Sequence, residues 1–180
     1  MCIRDRTKRA EKELKKNLYL EKVLVYRQLY PFGLKILIKT RTPVAYGERI
    51  LNGQKITGFI DEGGFFINEK YANKDNLEKL STKVFGWKEN FREISSKILS
   101  IQKNNDVEFV MVNFSPNGFL TLEEKSLKKI LLGFNSNIID TQLQIICDIK
   151  NQTEGESILE NIDNIDLTDP SNPKIKVFKP

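Results

Sequence analysis

The residue types that could do chemistry in this chain fall into a few small groups. Two adjacent carboxylate pairs, Asp61-Glu62 and Glu123-Glu124, have the right groups for acid and base work on a glycoside. Neighbouring residues of a strand project to opposite faces, however, so adjacent acids are held apart instead of converging on one bond. Ser115, in the run Ser115-Pro116-Asn117-Gly118, is a candidate nucleophile, but the sequence holds no histidine and its activation would fall to a lysine. The Pro-Asn-Gly order reads better as a turn. The lack of histidine also removes the commonest general base and the commonest metal ligand. Gly58, Gly63 and Gly64 fit neither a dinucleotide fingerprint nor a phosphate loop and read as turn glycines. The two cysteines, Cys2 and Cys147, give no metal-ligand spacing, and Cys147 lies in an apolar run as a small buried hydrophobe. Trp87, with Phe85 and Phe91 nearby, reads as core and not as a binding platform. We therefore expect a protein that is not an enzyme and that needs no cofactor and no metal.

Composition supports a globular chain. Its 180 residues suffice for one ordinary domain, or for a domain and a smaller piece. Apolar residues at 39% and charged residues at 29%, with eleven phenylalanines, exclude a disordered or collagen-like chain. No run of about 18 apolar residues is present to span a membrane. The net charge of +5 is spread out, with local density only over Arg4 to Lys16. Acids interleave there and aromatics are missing, so the segment reads as a solvated helix face and no nucleic-acid partner is expected. Met1 to Arg6 fits neither a strand nor a capped helix entry and is expected to be an artefact or a truncation edge.

The elements follow from period and turn chemistry. Thr7 to Asn17 has good helix formers and a sparse apolar stripe, which predicts a short amphipathic helix. Val23, Val25 and the run Leu34 to Ile38 predict a hairpin around Tyr30-Pro31-Phe32-Gly33, stopped by Pro43. Arg49 to Leu51, Lys55 to Ile60 and Gly64 to Ile67 follow as a meander, punctuated by Asn52-Gly53 and Asp61-Glu62-Gly63. Phe91, Ile94, Ile98 and Ile101 recur at spacings of three and four, which predicts a helix over Trp87 to Lys103. Val107 to Phe114 and Phe119 to Glu123 read as strands. Leu127 to Phe134 fits a helical turn or a strand equally well. Ile138 to Lys150 favours a helix, and Ile162 to Leu167 with Ile175 to Phe178 predicts a terminal hairpin across Asp169-Pro170-Ser171-Asn172-Pro173. Strand runs mixed with isolated helices predict an α+β fold and not a doubly wound sheet. In the absence of a chemical motif, the unpaired edges of such strands are the natural place for function.

Three segments carry a family resemblance. Leu20 to Ala45, LEKVLVYRQLYPFGLKILIKTRTPVA, resembles the end of the POTRA domain of FtsQ/DivIB cell-division proteins, with a strand, an Arg-x-x-x-Pro turn, a second strand and a closing Thr-Arg-x-Pro-Val-Ala. Ile60 to Gly64, IDEGG, is similar to the turn that opens the second, β domain of that family. Ile162 to Ile175, IDNIDLTDPSNPKI, looks like the family's last strand pair, closest to cyanobacterial members. Thr40 departs from the pattern, standing where an acidic residue usually precedes Arg41.

The resemblance implies a C-terminal portion of a POTRA domain over residues 7–45, followed over 46–180 by a mainly antiparallel β domain with flanking helices and C-terminal partner-binding strands. It also implies that Leu127 to Gly133 is a strand and Ile138 to Lys150 a helix. The implied function is a non-catalytic divisome scaffold. It would be anchored by a single span in the inner membrane and act on the periplasmic side of the division septum. There it would bind FtsB/FtsL-type proteins by β-strand addition and help to regulate septal peptidoglycan synthesis. The implied partner-binding residues are Ile162, Asn164, Ile165, Asp166, Leu167, Lys174, Ile175, Lys176 and Phe178. Val23, Val25, Arg27, Lys35 and Arg41 are the implied recruitment surface. The alternative is another POTRA-containing envelope assembly or secretion protein.

Overall fold

The computed structural model describes residues 3–17, 20–72, 77, 80–153 and 162–177. Helix α1 (Ile3–Asn17) leads into strands β1 (Lys22–Gln28) and β2 (Gly33–Lys39). The helix takes in Ile3 to Arg6, part of the segment expected to be an artefact or a truncation edge. Strands β1 and β2 form an antiparallel hairpin that pairs Val23 with Ile38 and Val25 with Ile36. Leu20, Val23 and Val25 are buried with Leu14 of α1 packed on them, a small core separate from the rest. The hairpin is a sheet of its own.

The described strands after Arg41 build a second sheet. Pro43, expected to stop a strand, also begins the next one. Strand β3 (Pro43–Leu51) pairs antiparallel with β4 (Gln54–Asp61), and β4 with β5 (Phe66–Asn68). Asn52 and Gly53 both have positive φ, 51° and 75°, which is what a two-residue hairpin turn of matching twist requires. Strand β6 (Lys83–Phe85) is parallel to β3 and to β7 (Phe109–Phe114), and so joins two antiparallel blocks. Thr82 secures the seam: its carbonyl accepts from Tyr46 N–H at 2.9 Å, and its hydroxyl donates to the Phe109 carbonyl at 2.8 Å.

Strands β8 (Leu120–Glu124) and β9 (Lys128–Gly133) continue the meander. Of the run Leu127 to Phe134, ambiguous by period, Lys128–Gly133 is therefore strand, with Ile130 and Leu132 in phase on the buried face. Strand β10 (Ile162–Asp166) is parallel to β9, a pairing that needs a crossover. Helix α3 (Ile139–Thr153) lies between them in the chain. Strand β11 (Lys174–Val177) closes the sheet, antiparallel to β10. The order across the nine strands is β11-β10-β9-β8-β7-β6-β3-β4-β5.

Helix α2 (Arg92–Asn104) begins five residues after Trp87, later than the period suggested, behind a 3-10 turn at Glu89–Phe91. Trp87 is core all the same, its indole N–H donating to the Gly64 carbonyl at 3.0 Å. Ile98 and Leu99 of α2 and Leu143, Ile146 and Cys147 of α3 share one core with the sheet residues Val112, Leu122, Ile130 and Ile165. The two helices are tied to each other by Lys97 and Asp140 at 2.6 Å. The architecture is α+β, with three α-helices among the described residues and a large, mostly antiparallel sheet. Among the described residues no helix is long and apolar enough to cross a membrane.

Candidate functional site

The last hairpin is shaped by its turn. Asp166 accepts from the Thr168 N–H at 3.0 Å and from the Thr168 hydroxyl at 2.7 Å. Those two bonds, the hydroxyl's first, pull the Asp166 carboxyl below its ordinary value. Asp169 accepts from Ser171 N–H at 3.0 Å, and its carbonyl accepts from Asn172 N–H at 3.1 Å. This side-chain mimicry of a turn brings the chain back before Pro173 and sets Ile165 opposite Ile175 and Asp166 opposite Lys174. A register shift between Ile162 and Asn164 marks a bulge around Asp163.

The implied partner-binding residues divide between two strands with different freedom. Strand β10 lies between β9 and β11, so both its edges are taken, and Ile162, Ile165 and Leu167 are buried. These three residues are core, and Asn164 and Asp166 are half-buried on the opposite face. The correction concerns the mode of contact: an interior strand has no unpaired backbone to offer, so β10 cannot itself accept a strand. Strand β11 is the edge, and among the described residues nothing pairs with its outer side. Lys174, Ile175, Lys176 and Val177 are all exposed there, Ile175 by 50% and Val177 by 51%. Phe178 lies outside the described residues.

Two polar clusters hold this end of the sheet in place; the sequence singles out Glu124 as one of an acid pair, but neither its partner Lys150 nor Gln142. Gln142 is buried on α3, and its amide donates to the carbonyls of Leu132 at 2.8 Å and Leu167 at 2.6 Å. It thereby fastens the ends of β9 and β10 to the helix between them. Glu124 is buried at the end of β8, where it accepts from the Ser126 and Leu127 N–H groups and from Lys150 of α3 at 2.8 Å. Burial by itself would raise its pKa, but the Lys150 hydrogen bond, with the two backbone donors and the lysine charge, outweighs it and leaves the carboxyl below its ordinary value. A signal for both was present. Glu124 follows Leu120 and Leu122 in the core-facing phase of β8, and Gln142 lies between Ile139 and Ile146 on the apolar stripe of α3.

The implied recruitment residues are not brought together. Val23 and Val25 are buried under α1 and are thus taken out of any exposed surface. Arg27 and Lys35 are exposed on the hairpin. Arg41 instead reaches the large sheet, where it pairs with the buried Asp61 and stacks 3.6 Å from the Phe65 ring centroid. The acid pairs are split as strand alternation requires. Asp61 turns inward and Glu62 outward to Lys103 at 2.8 Å, while Glu124 is buried and Glu123 exposed. A concavity of about 490 Å³ opens between the starts of α2 and α3, and Glu93 is the one acid among its described lining residues. Burial pushes the Cys147 thiol up, which leaves it a poor nucleophile.

No family model matches this chain, and no curated protein matches it either.

Proposed function

We propose that this chain is a non-catalytic scaffold of the FtsQ/DivIB type, which acts by accepting a partner's strand on the free edge of β11. In this reading the partners are FtsB/FtsL-type division proteins. The whole protein is held in the inner membrane with this part in the periplasm, at the septum, where it helps to regulate peptidoglycan synthesis. The α1-β1-β2 unit would be the C-terminal part of a POTRA domain and the nine-stranded sheet the second domain.

The observation that carries the reading is the position of β11. The segment that resembles the family's partner-binding end covers β10 and β11, and of the two β11 is the outermost strand of a large sheet, with Lys174 to Val177 exposed. An edge of this kind supplies affinity through backbone hydrogen bonds and specificity through alternate side chains. The support beneath it is rigid, since β10 is buried and fastened through Gln142.

The test is capture of an FtsB-type periplasmic segment by the full chain and by Ile175→Pro and Lys176→Pro variants. Consecutive strand residues point their N–H groups to opposite edges, so one of the two prolines removes a donor from the outer edge. We expect that variant to lose binding by at least about tenfold, the cost of roughly one buried hydrogen bond and the disturbed pairing around it. Unchanged capture by both variants, each shown to be folded by its circular dichroism, overturns the reading.

A further inference from the structure

The side chains around β11 carry a charge pattern that ends on lysines at the edge. On the face away from the buried Ile165, opposite pairs run across the strands: Glu123 faces Lys129 between β8 and β9, Lys129 faces Asn164 between β9 and β10, and Asn164 faces Lys176 between β10 and β11. In the neighbouring row Asp166 faces Lys174. Both rows finish on a lysine at the outer edge. Lys176 keeps 73% of its side chain exposed, with Asp163 at 3.9 Å as its ion-pair partner on the inner side. The other face of β11 differs in kind. Ile175 lies opposite Ile165 and Val177 opposite Ile162, both core residues, so this face continues the apolar surface outward.

From this we infer that the β11 edge selects a strand of alternating acidic and apolar residues, with the acids facing Lys174 and Lys176 and the apolar side chains facing Ile175 and Val177. The inference rests on the proposed use of β11 as an acceptor edge and adds the chemistry of what it accepts. Directly opposed side chains of unlike charge favour pairing, and like charges oppose it. The same two lysines work against pairing with a second copy of β11, because with the helices on one side lysine would meet lysine. Edge lysines are a common defence against indiscriminate strand addition. Here they stand on one face alone, so the defence is selective: an acidic partner removes it and a basic or identical one does not.

Two short blocked peptides test the inference, one alternating isoleucine and valine with glutamate, the other with lysine in place of glutamate. Each reads the same in both chain directions, so parallel and antiparallel pairing are sampled together. Titration into the full chain to millimolar concentration is followed by the amide chemical shifts of Lys174 to Val177. The glutamate peptide should bind about tenfold more tightly than the lysine peptide, the sum of two cross-strand pairs changed from repulsive to attractive. A K174E/K176E double variant should reverse that order, and added salt should shrink the difference in both proteins. Equal affinities on the unaltered chain, a preference for lysine, or no shift at β11 with either peptide overturns the inference. Failure of the underlying edge reading looks different: the glutamate peptide would then bind Ile175→Pro and Lys176→Pro as well as it binds the unaltered chain. If one proline weakens it while charge reversal changes nothing, the edge stands and only the charge selection falls.

Discussion

Strands β2 and β11 are both edges with apolar side chains in the open, yet they rest on very different foundations. Strand β2 is exposed at every residue, Leu34, Ile36 and Ile38 included, and among the described residues its one strand partner is β1. The core beneath that hairpin is Leu20, Val23 and Val25 with Leu14 against them. Strand β11 is attached through β10 to a sheet whose core holds twenty-three buried residues among those described. A two-stranded hairpin on a small core is marginal in water, whereas a strand added to a large sheet inherits its rigidity. A free edge is therefore not by itself a binding site. What distinguishes β11 is that the backbone it offers is held still, so that less ordering is lost when a partner pairs with it.

The largest expected effect tests that difference in foundation. Ile130→Ala, at a fully buried position in the large core, should cost about 2–5 kcal/mol of unfolding free energy. Val25→Ala, in the hairpin core, should cost about 1 kcal/mol, because a small core collapses around the missing atoms. Denaturant titrations of the two variants measure both. Equal costs would mean that the hairpin is as well founded as the sheet, and the preference for β11 would lose its physical basis.

An intermediate effect concerns acid. Glu124 is held below its ordinary pKa, so the stability it contributes is fully present above the unfolded value of about 4.5 and is lost as pH falls through the lower folded value. Stability between pH 5 and pH 2 should therefore fall less steeply in Glu124→Gln than in the unaltered chain, at the cost of a lower plateau at neutral pH. Parallel curves would show that the Glu124–Lys150 pair does not hold β8 to α3 as described. The smallest effect belongs to the surface. Lys103→Ala, which removes the exposed pair with Glu62, should change stability by no more than about 0.5 kcal/mol.

Much of this architecture is local and so was legible in the residues. The Asn52-Gly53 turn, the stripe of Ile94, Ile98 and Ile101, the turn from Asp169 to Pro173 and the alternation of β7 and β8 each depend on residues a few positions apart. Backbone sterics and side-chain period act at that range. The lack of histidine is likewise a property of the residues themselves, and it takes the commonest general base and metal ligand from any fold the chain adopts. Other features depend on residues far apart in the chain. Lys128 to Gly133 became a strand because β8 and β10 lie on either side of it. The short β6 came to link β3 with β7, Arg41 went to Asp61, and Glu124 went to Lys150. Above all, the sequence placed two strands at the C-terminus with similar alternation, and only the tertiary structure decided which of them is interior and which is edge. That choice follows from parallel pairing of β10 to β9 across α3, a contact between segments some thirty residues apart that no local period encodes.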